Sequence, residues 1–316
     1  MKIVMIGDSA VGKTTFMMST YGLMREGAIE GFRVQCKNQQ ADRKLMRAYN
    51  DFRSEGVYPP ATVQMSSYDY DFYSDNEWVM NFSLTDIRGE SIHDYDVNDL
   101  SRELRRADAM MLFLNGYDIL NGKDVSEQID DIYILMNNCF ASDDRSKILM
   151  VIFAQMDRIG QLSGEHLEIL NNTVQELKEI TDRNDNIFYQ MIPTACSLDC
   201  MMDLDFAMVT LMLFGYNGDV LRRRRELEDE LRSIQQQYGS GIGREVKEFL
   251  LETFWQDKER RQARSRYAEL EKQIPIYEQM VEKFNRLYKF VDDYEIGTFY
   301  RLKRRWTSRQ EDPFCL

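Results

Sequence analysis

Eight residues near the N-terminus constrain this chain more than any other feature. Gly7-Asp8-Ser9-Ala10-Val11-Gly12-Lys13-Thr14 follows the apolar run Ile3-Val4-Met5-Ile6 and opens a helical pattern that continues to about Arg25. A buried strand feeding a glycine-rich turn and then a helix makes successive backbone N–H groups converge on the phosphates of a nucleotide. Lys13 is placed to reach the terminal phosphates and the Thr14 hydroxyl to ligate Mg²⁺. Gly7 through Thr15 are therefore the first candidate nucleotide-binding residues.

Short apolar segments alternate with helical patterns through roughly residue 215, which predicts a mostly parallel sheet covered by helices. Strands are expected near 2–6, 63–73, 78–86, 109–114, 147–154 and 187–192. Trp78, Met80, Phe82 and Leu84 alternate with more polar neighbours, and Ser74-Asp75-Asn76 is a turn cluster, so the second and third strands should form an antiparallel hairpin at one sheet edge. Before them lies a helical insertion at about 27–56, in which Leu45, Tyr49 and Phe52 share one face. The expected class is α/β: about six strands with one antiparallel edge pair, followed by a C-terminal α-helical hairpin or bundle. The division falls at 1–218 and 219–316. In the second part Leu227, Leu231, Ile234 and Tyr238 keep heptad spacing, as do Tyr267, Leu270, Ile274, Tyr277, Val281, Phe284, Tyr288 and Val291. Gly239-Ser240-Gly241-Ile242-Gly243 is the expected reversal between the runs. Pro275 should kink or restart the second helix.

Composition bears on what such a chain can do. Residues 1–218 hold 19 Lys and Arg against 34 Asp and Glu, whereas the remainder holds 21 against 19, within an overall charge of −13. An acidic nucleotide-binding part disfavours nucleic acid as a partner. Five cysteines without a C-x-x-C pair argue against a disulfide framework and fit a reducing cytoplasm. No apolar run is long enough to span a membrane, and no leader-like segment opens the chain. Arg301, Lys303, Arg304 and Arg305 around Trp306 form too short a basic stretch for membrane-surface contact to be expected. Arg222 to Arg225 precede Glu226, Glu228, Asp229 and Glu230, with which they can pair along one helix. His93 and His166 form no metal-ligand pattern.

A phosphate loop alone does not choose among ATPases, kinases and GTPases. Four later segments narrow the choice. Asp86-Ile87-Arg88-Gly89 ends the third expected strand as D-x-x-G, whose carboxylate acts on Mg²⁺ and whose glycine N–H meets the γ-phosphate. Thr62, in the loop after Pro59-Pro60, is positioned to bind Mg²⁺ only when a γ-phosphate holds that loop closed. Ala154-Gln155-Met156-Asp157 and Thr194-Ala195-Cys196 follow the fifth and sixth strands. The Asp157 carboxylate can accept two hydrogen bonds from guanine, whereas adenine presents an unprotonated ring nitrogen to it.

In this order the segments resemble the Ras-like small GTPases over roughly residues 1–215. The Asp8-Ser9 loop is similar to Rab-type members, and the long helical insertion looks like bacterial double-GTPase proteins. The resemblance implies GTP or GDP as bound nucleotide, Mg²⁺ as cofactor, and protein partners: an effector, an activator and a second GTPase. It also marks departures. The usual N-K-x-D has become Ala154-Gln155-Met156-Asp157, so the asparagine that braces the phosphate loop is absent and the lysine is a glutamine. Thr194-Ala195-Cys196 matches S-A-K, which reads the base through its backbone. The glutamine that orients water after D-x-x-G is Glu90, which accepts a hydrogen bond from water but donates none to the γ-phosphoryl group.

The expected activity is a GTP-binding switch, slow in intrinsic hydrolysis, with Lys13, Thr62 and Glu90 as catalytic candidates and Thr14, Thr62 and Asp86 as metal candidates. The nucleotide-binding candidates are completed by Gly89, Gln155, Asp157, Thr194, Ala195 and Cys196. A P-loop ATPase or small-molecule kinase, and a non-catalytic interaction protein stabilised by nucleotide, are the alternatives.

Overall fold

The computed structural model describes residues 1–27, 29, 31–60, 65–87, 97–140, 145–159, 162–184, 186–198, 200–238 and 258–294. Its centre is a seven-stranded sheet built from β1 (Lys2–Gly7), β2 (Phe32–Cys36), β3 (Ser66–Ser74), β4 (Glu77–Asp86), β5 (Ala109–Asn115), β6 (Lys147–Ala154) and β7 (Ile187–Pro193). Their spatial order is β2-β3-β4-β1-β5-β6-β7. Every residue of β6 is buried, as are all but the last of β5, because helices cover both faces of the parallel strands. The hairpin strands behave differently: the first half of β3 alternates between exposed and part-buried residues. Parallel pairing joins β1 to β4 and to β5, and continues through β6 to β7. The chain thus crosses from one side of β1 to the other, and ligand sites in such sheets form outside the carboxyl ends of the strands at that crossing.

The expected hairpin is present as the antiparallel β3–β4 pair, but it is not the edge. β2 pairs antiparallel with β3 and takes that place. Phe32, Val34 and Cys36 point inward while Arg33 and Gln35 alternate with them. Five residues of this pattern, lying inside a segment that reads as helical, carry too little period-2 signal to be seen beforehand.

The insertion also contributes α2 (Gln39–Glu55), capped by Asn38, whose side chain accepts from the N–H groups of Gln40 and Ala41 at 2.8 and 3.1 Å. Gly56 ends it in a left-handed conformation. Leu45, Tyr49 and Phe52 are its buried face, as the spacing predicts, and they pack against α1 (Lys13–Arg25). The Tyr49 ring lies directly over Gly22, where a Cβ would sit 2.2 Å from the ring. Helix propensity alone would make Gly22→Ala stabilising by about 1 kcal/mol. The clash reverses the sign, and a net loss of about 2 kcal/mol is expected from overpacking. Urea unfolding measures it, and a Gly22→Ala protein as stable as the parent would show that α1 and α2 do not pack this way.

The other helices of the sheet region are α3 (Val97–Arg106), α4 (Gly116–Leu120), α5 (Ser126–Cys139), α6 (Gly164–Thr173) and α7 (Gln175–Asp182). A two-stranded ribbon, β8 (Ala195–Cys196) with β9 (Met201–Met202), leads into α8 (Leu204–Tyr238), and α9 (Lys258–Asp292) follows. The described residues fall into two compact units. One combines Met1–Gly215 with the described part of Leu287–Leu316, and the other is Tyr216–Arg286. In the first, Phe290 of α9 meets Phe32 edge-on at 5.0 Å, and Tyr294 stacks on Phe206 while its hydroxyl donates to Asp203 at 2.8 Å.

In the second unit the arginine run pairs locally, Arg223 with Glu226 at 2.9 Å and Arg224 with Glu228 at 2.8 Å. α9 continues through Pro275, so of the two expected outcomes, a kink or a restart, it does not restart there. Its inward stripe is also displaced from the expected heptads: Ile274 and Tyr288 are 44% and 52% exposed, whereas Leu287 is fully buried and Met280 part-buried. A strict seven-residue repeat stays on one face only if the helix supercoils, because 3.6 residues per turn drifts away from 3.5. The Gly239–Gly243 reversal and the basic cluster around Trp306 lie outside the described residues.

Candidate functional site

β1 delivers the phosphate loop to the crossing point. Gly7 sits so close to β5 that a Cβ would meet the Phe113 carbonyl oxygen at 2.4 Å, so no other residue fits there. Ala10 and Gly12 then turn the loop with φ of 61° and 110°. Gly12 precedes the first residue of α1 and has no side chain with which to cap it, which leaves the helix N-terminus and its partial positive charge facing the loop.

Lys13 is only 6% exposed, and its ammonium donates to the carbonyls of Gly7 at 2.6 Å and Asp8 at 2.9 Å. Burial pushes its pKa below the ordinary value, while the carboxylates of Asp86 and Asp8 pull it back up. The cation is thus curled into its own loop, short of the negative charge that would satisfy it. Beside it, the Thr14 hydroxyl donates to Asp86 Oδ2 at 2.9 Å. Asp86 ends β4, opposite Met5 of β1, and is 1% exposed. A threonine hydroxyl and a buried carboxylate are hard oxygen donors of the kind Mg²⁺ takes, together with phosphate oxygens and water, so the pair fits that ion. Among the described residues there is no cluster of three or more His, Cys, Asp or Glu for a metal, and Mg²⁺ bound to a nucleotide needs none.

β6 and β7 bring in the base-side residues. Gln155 leaves β6 with a left-handed backbone and begins a short 3-10 turn, Met156–Arg158. The Thr194 N–H donates to the Phe153 carbonyl at 2.7 Å, and its own carbonyl accepts from the Met156 N–H at 3.1 Å. The two base-side segments are therefore tied together, and Asp157 faces Cys196 across them. Burial, and next the Asp157 carboxylate, push the Cys196 thiol well above its ordinary value, so it is a neutral, inert wall. A cavity of about 290 Å³ lies between these segments and the loop, lined by Val11, Thr15, Tyr58, Gln155, Asp157 and Cys196 among others. The structure places Gly7 through Thr15, Asp86, Gln155, Asp157, Thr194, Ala195 and Cys196 around one site. Thr62, Gly89 and Glu90 lie outside the described residues.

Tyr58 and Arg158 are among the lining residues that the sequence reading did not mark. Tyr58 is 53% exposed and meets Phe52 of α2 edge-on at 5.0 Å, so the inserted helix holds an aromatic ring at the cavity mouth. An aromatic just before Pro59-Pro60 is the signal that would have marked it. Arg158 lines the cavity as well, and its sequence offers no signal beyond its nearness to Asp157.

A phosphate loop whose threonine is bonded to a strand-end carboxylate, with an aspartate on the base side of the same crossing, defines a P-loop protein of the GTPase class. A family model for Double-GTPase 2 matches residues 2–191, and the chain belongs to that family. No curated protein sequence matches it. Among solved structures the chain is similar to the mammalian SRP receptor, at 12% identity, covering 66% of this chain and 97% of that one with a TM-score of 0.42. It is also similar to a GTP-binding protein of Sulfolobus solfataricus solved with GDP, at 17% identity, 67% and 51% coverage and a TM-score of 0.38. The Trypanosoma brucei Arl6 small GTPase, solved with the nucleotide analogue GppNp, gives 12% identity, 69% and 97% coverage and a TM-score of 0.40. The four described cysteines Cys36, Cys139, Cys196 and Cys200 are free thiols, and no helix among the described residues is long and apolar enough to cross a membrane.

Proposed function

We propose that this protein is a guanine-nucleotide switch that hydrolyses GTP slowly and passes its state to a partner protein. The observation that carries the reading is the meeting of Lys13, the Thr14–Asp86 pair and Asp157 around a single loop and cavity. Lys13 moves from its loop carbonyls to the β- and γ-phosphates, and the N-terminus of α1 holds them. Thr14 and Asp86, joined by Thr62, would hold Mg²⁺. When bound, that ion neutralises charge developing on the phosphates. Asp157 accepts from the N1–H and amino group of guanine, and Tyr58 covers the open side of the base.

Glu90 supports the slow step of this reading. A carboxylate can orient water but cannot donate to the γ-phosphoryl oxygens, and its charge repels theirs. The missing donor then comes from a partner, and the family's double-GTPase character makes a second GTPase the first one to test. An ATPase or small-molecule kinase leaves Asp157 without a task.

Side-by-side titration with GDP and ADP tests base specificity. GDP should bind tighter, and Asp157→Ala should weaken it about a hundredfold, the worth of two hydrogen bonds to a charged group, while ADP changes little. ADP binding as tight as GDP in the parent protein would remove Asp157 from its role. Turnover of GTP at several per second by the isolated chain would contradict the dependence on a partner.

A further inference from the structure

The glutamine at position 155 stands where the resemblance expects a lysine, and its side chain is held at both ends. Its amide nitrogen donates to the Ala10 carbonyl of the phosphate loop at 3.2 Å, and its amide oxygen accepts from Arg158 Nη1 at 3.2 Å. The Arg158 guanidinium in turn lies 4.0 Å from the centre of the Tyr117 ring, on α4. A lysine in this position would need no help, because an ammonium can only donate. A primary amide is two-faced and can present either its oxygen or its nitrogen to the loop. Presenting oxygen would set two acceptors against each other.

Arg158 removes that ambiguity. A guanidinium carries donors alone, so it can engage only the amide oxygen, and the nitrogen is left to face Ala10. Stacking on Tyr117 fixes the plane from which the guanidinium acts. The recipient is a strained residue: Ala10 has φ of 61°, a left-handed conformation that is unfavourable for a non-glycine residue and persists only where its surroundings hold it. We propose that Arg158 is a positioning residue that acts through Gln155 to hold the phosphate loop in its nucleotide-binding shape, with Tyr117 as its support.

The same residues form a wall. A second cavity, of about 330 Å³, lies on the other side of the loop and is lined by Asp8, Asn115, Asp118, Lys123 and Gln128. Ala10, Val11, Gln155 and Arg158 line both cavities. Loss of the Arg158–Gln155 contact would open the base pocket to the polar cavity behind it, and water would compete for the Ala10 carbonyl.

The inference rests on reading the site as a guanine-nucleotide pocket, and its test separates the two. Release of fluorescent GDP from the full chain is measured for the parent, Arg158→Ala, Gln155→Ala and the double variant. Each single substitution should speed release about tenfold, and the double should add little, because both break one chain of contacts. Gln155→Lys introduced into Arg158→Ala should return release to within about twofold of the parent, since an ammonium orients itself. A merely structural Arg158 would not be rescued in this way. Release from Arg158→Ala within about twofold of the parent, or failure of the lysine rescue, overturns the proposal. If the parent retains no GDP, the functional reading falls on its own. Amide hydrogen exchange over residues 7–12 of the nucleotide-free chain then decides: faster exchange in Arg158→Ala upholds the relay and unchanged exchange rejects it.

Discussion

Lys13→Ala is expected to weaken GTP binding by about a hundredfold or more and to abolish the rise in melting temperature that GTP gives the parent. The size follows from where the ammonium is kept. It is buried, held by two loop carbonyls, and its charge is disfavoured by desolvation more strongly than Asp86 and Asp8 relieve it. A triphosphate supplies the missing counter-charge in a place where water screens little. Without the lysine, Mg²⁺ would be the one cation left between the phosphates and the carboxylates of Asp86 and Asp8, so the loss exceeds that of one neutral hydrogen bond. Calorimetric titration with GTP and GDP makes the comparison, and the GTP penalty should be the larger because the γ-phosphate adds charge. If the alanine variant bound GTP within about threefold of the parent, Lys13 would be a structural lysine that merely closes its own loop.

The residues that read most clearly in the sequence are those whose chemistry is local. The phosphate loop is contiguous, and Asp86, Asp157 and Thr194 each follow an apolar run that announces its own strand, so their convergence needs only the rule that ligands sit at strand ends. Arg158 and Tyr117 are different. They are 41 positions apart in the chain, on elements that meet only because β5 and β6 pair, and no spacing within either segment reports that meeting. β2 was hidden for another reason: its alternation is five residues long and lies between two helices. The inward face of α9 differs from the expected one by a fraction of a turn: Tyr277, Val281, Phe284 and Val291 are part-buried as expected, whereas Ile274 and Tyr288 are exposed and Met280, Leu287 and Phe290 turn inward. Sequence pattern fixes the presence of an apolar face more firmly than its phase, because residues three and four apart lie on either side of a true helical repeat.

Lys147→Ala is expected to cost about 3–4 kcal/mol of stability, although position 147 lies at the other end of β6 from Gln155 and the candidate site. Lys147 begins β6 and is fully buried, an uncommon place for an ammonium. Its Nζ donates to the carbonyls of Ala107 and, at 3.3 Å, of Arg105, and lies 5.1 Å from the centre of the Phe140 ring. Arg105 and Arg106 close α3, so the lysine caps the negative end of that helix, with Arg145 adding a second donor to the Arg105 carbonyl at 2.6 Å. Alanine would leave a cavity and at once strip the buried Ala107 carbonyl of this donor, while the Arg105 carbonyl keeps Arg145. Lys147→Met separates these losses, because it refills most of the volume and still removes the donor to the Ala107 carbonyl, for an expected cost of about 1–2 kcal/mol. Denaturant unfolding of the three proteins tests the ranking. Equal stability of parent and methionine variant would mean that packing alone holds α3. The expected order instead makes this end of α3 an electrostatic anchor.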